Sequence, residues 1–190
     1  MSAIPKTLLS AEDYLASERK SEFRHEYYKG EIFQMSGASR SHNLLVTNWV
    51  TGINSRLRGK SCETYSSDMR VHTPVTGLYT YPDVVIVCGE PVFLDGEFDT
   101  LLNPVVLIEV LSPSTAEYDR GKKFWHYQSI ESLREYLLIA QDEPRVEHLI
   151  KQTDGRWSVR EYNSPDEIVE LPSIEISLPL PEIYERVMKN

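Results

Sequence analysis

The stretch that decides the fold is residues 81–127. It opens as YPDVVIVCGEP at residues 81–91 and, after a loop, resumes as NPVVLIEVLSPSTAEYDRGKKFWHY at residues 103–127. Two short apolar runs stand out, Val84-Val85-Ile86-Val87-Cys88 and Val105-Val106-Leu107-Ile108-Glu109-Val110-Leu111. Both are rich in β-branched residues and bounded by Pro or Gly, so each is predicted to be a buried strand. Asp83 stands at the start of the first run and Glu109 lies within the second. A carboxylate in a buried strand is costly unless a cation, a metal or several hydrogen bonds compensate it.

Side chains alternate along a strand, so Glu109 shares a face with Leu107 and Leu111, and Asp83 shares one with Val85 and Val87. If the two strands are neighbours, the acids converge at one edge of a sheet. Two hard oxygen donors, with water in the remaining positions, suit Mg²⁺ or Mn²⁺.

Pro82-Asp83, a loop and then Glu109 after an apolar run resemble the PD-(D/E)xK nuclease superfamily. The phrases Glu-Val-Leu-Ser-Pro-Ser at 109–114 and Tyr-Asp-Arg-Gly-Lys-Lys at 118–123 are more specific. They resemble a bacterial family of restriction-endonuclease-like proteins, over about residues 10–151. The resemblance implies an α/β fold, a restriction-endonuclease-like mixed central sheet flanked by helices, to which the sequence adds a C-terminal β-hairpin. It also implies a divalent ion held by Asp83, Glu109 and a backbone carbonyl near Val110. The superfamily expects Lys two residues after the acid, where this chain has Leu111. In the family the lysine sits on the following helix in a D-R-x-x-K pattern, which falls on Asp119, Arg120 and Lys123, with Lys122 as a neighbouring candidate. The family also has an acid near the active site at the place of Glu26, and a histidine at the place of His42.

At 190 residues, one domain spanning residues 1–190 is expected. A composition 41% hydrophobic and 26% charged fits a soluble globular protein, and no apolar stretch approaches the roughly 18 residues of a membrane span. Residues 1–15 lack a basic start followed by an apolar run, so no secretory signal is expected. Cys62 and Cys88 show no CxxC spacing, and reduced thiols in a cytoplasmic protein are expected.

The net charge of −9 opposes attraction of a polyanion. Two local clusters could compensate, Arg56 with Arg58 and Lys60, or Arg120 with Lys122 and Lys123. A bound metal would also offset part of the charge.

Ser10-Ala-Glu-Asp predicts a capped helix start. Residues 23–35 predict a hairpin about Lys29-Gly30, with Glu26 in its first strand; the plain alternative for Glu26 is a surface strand acid. Leu45, Trp49, Ile53 and Leu57 predict an amphipathic helix over 39–57, with His42 in its first turn and Trp49 in the core. Residues 62–72 read as one strand in which Asp68 and Arg70 share a face; a structural ion pair with neighbours is expected, with a part in the site as the alternative. Ser114 and Glu117 form a capping-box pattern that predicts a helix to about residue 129. Gly121 costs that helix about 1 kcal/mol relative to Ala, which suggests close packing there. Residues 135–140 predict another buried strand and hence a βαβ unit. Asp154-Gly155 marks a hairpin between 145–151 and 157–162, and a terminal helix is expected at 182–188.

The chemistry the resemblance implies is in-line hydrolysis of a phosphodiester, in DNA, with Lys123 orienting or deprotonating a water or stabilising the scissile phosphate oxygen. No Gly-x-Ser-x-Gly or Walker A pattern offers another catalytic reading. The acidity and the displaced lysine favour one alternative, a nuclease-like domain that binds nucleic acid or a partner protein without cutting. A plainer reading pairs Glu109 with Arg120 or Lys122 in a structural network, and makes Asp119–Lys123 an exposed helical pair worth tenths of a kcal/mol. A homodimer is common among nucleases that cut two strands and is carried as an expectation.

Overall fold

The structure, a computed structural model, describes residues 8–188. The first seven residues, on which part of the secretory-signal reading rests, lie outside that range. Helix α1 (Ala11–Glu18) begins where expected, with the Asp13 N–H donating to Ser10 Oγ. Strands β1 (His25–Tyr28) and β2 (Glu31–Gln34) form the expected hairpin. Its turn residues Lys29 and Gly30 have φ of 47° and 88°, the paired positive φ that a two-residue turn needs to match strand twist.

Helix α2 (Arg40–Leu57) buries Leu45, Trp49, Ile53 and Leu57 along one face. Strand β3 (Cys62–Ser66) follows, then β4 (Arg70–Thr73), β5 (Leu78–Thr80) and β6 (Val84–Cys88). The single strand expected over 62–72 is broken: the Met69 N–H donates back to the Ser66 carbonyl, and the halves enter different sheets. Ser66-Ser67-Asp68 supplies the short polar residues that favour such a turn.

Next come β7 (Thr100–Leu101) and β8 (Val106–Val110). A helical run then passes from α3 (Ala116–Tyr118) through a π turn (Asp119–Lys123) into α4 (Phe124–Tyr127). The capping box does not form: Thr115 occupies the cap without a side-chain bond to the helix start, and Ser114 turns to Ser112.

The chain closes with β9 (Glu135–Ile139), β10 (Val146–Lys151), β11 (Trp157–Tyr162), β12 (Ile168–Leu171), β13 (Ile176–Pro179) and α5 (Leu180–Ile183). The expected terminal helix is thus shorter and starts earlier, because Pro181 fits the first turn, where its missing N–H costs nothing. The β10–β11 hairpin is as expected, and the small β12–β13 hairpin is an addition.

The central sheet has the order β11-β10-β9-β8-β6-β3 and is mixed. Strands β8 and β9 are parallel and every other pair is antiparallel. The parallel pair is the predicted βαβ unit. One face of this sheet packs Val84, Ile86, Val106 and Ile108 against α2, the β12–β13 hairpin and α5. The other face packs Val85, Val87, Leu107 and Leu111 against Tyr127, Ile130 and Leu133. Each fully buried aliphatic side chain contributes about 1.5–3 kcal/mol, so both faces hold the sheet rigidly. A second sheet, ordered β2-β1-β5-β4-β7, stands beside it and carries a cluster of Tyr14, Tyr27 and Tyr79.

The cysteine expectation is overturned. Cys62 and Cys88 are opposite each other in the β3–β6 ladder, with Cα atoms 4.0 Å apart, and they form a disulfide. Their separation of 26 residues conceals a contact that only strand register creates.

Candidate active site

Strands β6 and β8 are neighbours, and one step beyond the Val84–Ile108 pair the register brings Asp83 across from Glu109. Both acids lie on the face of Leu107 and Val85 and are buried, 8% and 4% exposed. Asp83 is held from two sides: the Val110 N–H donates to Oδ2 at 2.8 Å, and His42 Nε2 lies 2.9 Å from Oδ1. His42 reaches Asp83 because Ser39 caps α2, accepting the His42 N–H at 3.0 Å and fixing its first turn. Glu109 Oε1 accepts from Tyr127 Oη at 2.9 Å.

The helical run after β8 supplies the cation. Lys123 Nζ lies 2.9 Å from Glu109 Oε1, 3.0 Å from Glu26 Oε1 and 3.6 Å from Asp119 Oδ1. Glu26 comes from β1 in the other sheet and is anchored by the Thr80 hydroxyl. Lys123 and Asp119 are buried, whereas Lys122 is exposed. The π turn, an uncommon local winding that recurs at functional sites, carries both Asp119 and Lys123. The helical pair Asp119–Lys123 is therefore real but not an exposed one; it belongs to a buried cluster.

Four carboxylates (Glu26, Asp83, Glu109 and Asp119) gather around one ammonium. The surplus negative charge adds to the effect of burial at Glu109 and Asp119. Burial is the largest cause and raises the Glu109 carboxyl well above its usual range, with Asp119 and Asp83 adding to the effect against Lys123. Burial works against the Lys123 ammonium, but Glu109 and Glu26 prevail and hold it well above the ordinary lysine value. Asp119 is raised as well, by burial first.

These side chains line a cleft of about 850 Å³ open to solvent, and the lining includes Glu26, His42, Asp83, Glu109, Val110 and Lys123. Among the described residues no three His, Cys, Asp or Glu side chains converge so as to enclose an ion unaided. An ion here would take Asp83 and Glu109, with the Val110 carbonyl and water completing its shell. The donor chemistry fits Mg²⁺ or Mn²⁺: hard oxygens, a water-accessible cleft and uncompensated negative charge.

The plainer readings divide. Arg120 turns outward to Glu147 at 2.6 Å, so neither it nor exposed Lys122 neutralises Glu109. Asp68 pairs with Arg24, and Arg70 pairs with Asp99 and donates to Thr100 and Tyr81, the structural ion pairing expected of these two, with Tyr81 linking it to the cleft wall. The two basic clusters do not form open patches: Arg56 pairs with Glu182, and Lys60 reaches the carbonyls of Ile174 and Glu175. Gly121 is exposed with nothing near the place of a Cβ, so close packing does not explain it. Sequence reasoning missed Thr80, which no local pattern marks. Tyr127 stands four residues beyond Lys123, a spacing that places both on one helical face.

A mixed sheet with paired acids at one strand edge and a lysine on the next helix defines a restriction-endonuclease-like, nuclease-type fold. The chain belongs to the Uma2 family, described as "Putative restriction endonuclease", whose profile matches residues 11–181. Two uncharacterised proteins of Synechocystis sp. are each 36% identical, over 95% of this chain and 93% of one, and over 89% of this chain and 96% of the other. A crystal structure from Anabaena variabilis, described as a "putative nuclease belonging to DUF820", superposes with a TM-score of 0.73 at 20% identity. The match covers 88% of this chain and 93% of that one. At that identity the likeness speaks for the fold.

Proposed function

We propose that the chain is a metal-dependent endonuclease that hydrolyses phosphodiester bonds in DNA. The observation that carries this reading is the buried cluster in which Lys123 meets Glu26, Glu109 and Asp119 beside Asp83. Asp83, Glu109 and the Val110 carbonyl would hold Mg²⁺ or Mn²⁺. When bound, such an ion lowers the pKa of a water and offsets charge on the pentavalent phosphorane.

The chain's own residues supply the rest. His42 and the Val110 N–H fix the Asp83 carboxylate, and Tyr127 fixes that of Glu109. Lys123, a cation held among carboxylates, is placed to orient the attacking water or to donate to a scissile phosphate oxygen. Glu26 and Asp119 position that ammonium from two different elements.

A second reading, a nuclease-like domain that binds without cutting, is favoured by the salt-bridged state of Arg56 and Arg120 and by the net charge of −9. Calorimetric titration of Mg²⁺ and Mn²⁺ into wild type and Glu109→Ala, with plasmid cleavage in parallel, separates the two. Metal binding lost in the variant together with wild-type cutting supports the nuclease; wild type that neither binds metal nor cuts removes it.

A further inference from the structure

Beside the acidic cleft lies a second, smaller one of about 480 Å³, lined by Tyr28, Gly121, Lys122, Trp125 and His126. Its volume is within the ~300–1,000 Å³ of small-molecule sites. One wall is the end of β1, the other the π turn and α4. Gly121 and Trp125 are four residues apart, as are Lys122 and His126, so each pair shares one helical face. Tyr28, Lys122 and His126 also line the acidic cleft, which makes the two continuous.

The chemistry of the lining is aromatic and cationic. Trp125 is 59% exposed, although a tryptophan is normally buried. Its ring meets His126 edge-on at 4.8 Å, and Tyr28 meets His126 edge-on at 4.7 Å. His126 is oriented by its Nδ1 contact with Thr76 Oγ1 at 2.8 Å. Lys29 Nζ stands 5.1 Å over the Tyr28 ring, and its charge, after the larger effect of burial, holds His126 below the usual imidazole range. Neither Lys29 nor exposed Lys122 makes a salt bridge among the described residues. Gly121 leaves open space at the mouth, with no atom within 4 Å of where a Cβ would stand.

We propose that this cleft is a nucleobase subsite: it takes one unstacked base next to the scissile phosphate, while Lys29 and Lys122 meet the adjoining phosphates. The proposal rests on the nuclease reading and deepens it. An exposed Trp125 ring in a lining that also holds Lys122, with Lys29 over the Tyr28 ring at its wall, matches a base and its phosphates, whose stacking is tolerant of sequence. An acidic or purely apolar partner would leave half of that lining unmatched. A base held there must leave its stack, so the subsite favours single-stranded or locally opened DNA.

The test is fluorescence anisotropy with a labelled single-stranded oligodeoxynucleotide and its matched duplex, in Mg²⁺ and before cleavage develops. Trp125→Ala is expected to weaken single-strand binding about ten-fold, equal to about 1.4 kcal/mol, and duplex binding much less. Trp125→Phe should restore most of the affinity. Gly121→Leu removes a helix glycine and fills the mouth, so it should weaken single-strand binding without lowering Tm. Lys122→Ala should reduce the salt slope by about one. Wild-type single-strand affinity in both Trp125→Ala and Gly121→Leu overturns the subsite and leaves the nuclease reading intact. So does a loss equal for both substrates, or a Trp125→Ala change confined to oligomeric state, which would mark the patch as a protein contact. Wild type that binds neither DNA overturns both readings together.

Discussion

Lys123 Nζ and Glu109 Oε1 are 2.9 Å apart, and through that contact the helix after β8 is tied to the centre of the sheet. The same ammonium reaches Glu26 in the second sheet at 3.0 Å. One side chain thus joins three elements. Breaking a buried pair by removing one partner costs about 3–5 kcal/mol, because the other charge is left uncompensated.

Lys123→Ala should therefore lose cleavage and about 3–5 kcal/mol of stability at neutral pH, read by urea unfolding. The sign with pH is set by Glu109 and Asp119, whose folded-state carboxyls are raised, burial first. A raised carboxyl favours the folded state below its unfolded value and loses that advantage as pH rises through the folded value. The gap between variant and wild type should thus narrow as pH falls towards about 5. A gap that widens on acidification would count against the charged cluster.

His42→Ala removes the 2.9 Å contact to Asp83 and leaves the Val110 N–H to anchor that carboxylate from the strand. Partners that orient a metal-binding carboxylate are typically worth 10–100-fold in affinity. Calorimetry should show Mg²⁺ binding weakened by about that factor, with little change in Tm. Unchanged affinity would separate His42 from the metal site.

Acid sensitivity has a different origin, in the network behind α1. Burial works to raise the Asp99 carboxyl, yet bonds from Arg19 and Thr100 and the Arg70 charge hold it well below the usual range. A depressed carboxyl stabilises above its unfolded value, about 3.9 for Asp, and loses that contribution as pH falls through its folded value. Between neutral pH and about 4, Asp99→Asn should be the less stable protein, and the difference should shrink below that. Thermal melts across this range check it; parallel curves would contradict it.

Closing a loop of this length with a disulfide is worth about 3–4 kcal/mol in the chain-entropy description. Reductant, or Cys62→Ser, should lower the urea midpoint accordingly, with the sheet otherwise intact. Equal midpoints with and without reductant would mean that the two thiols are not bridged.

Much of the fold was legible in local sequence because its causes are local. The apolar runs at 84–88 and 105–111 show the period and composition of buried strands, Lys29-Gly30 allows the tight turn, and Ser10 and Ser39 cap helices that begin where expected. Alternation alone put Asp83 and Glu109 each on a definite face, and the family phrase pointed to Lys123.

What only the tertiary structure decided depends on register and on contacts between distant segments. Strand pairing made Cys62 the partner of Cys88, although their spacing suggested free thiols. The turn at Ser67-Asp68 sent β3 and β4 into different sheets, and the open space beside Gly121 reversed the packing expected there. The family phrase favoured Lys123 over Lys122, but the physical reason for that choice lies in the tertiary structure. Adjacent residues on a helix point about 100° apart, so the winding of the π turn buries one and exposes the other. The amino-acid sequence by itself determined which acids had to be compensated. The packing of two sheets against one helix determined that a single ammonium, from Lys123, reaches Glu109 together with Glu26 and Asp119, while His42 and the Val110 N–H hold Asp83.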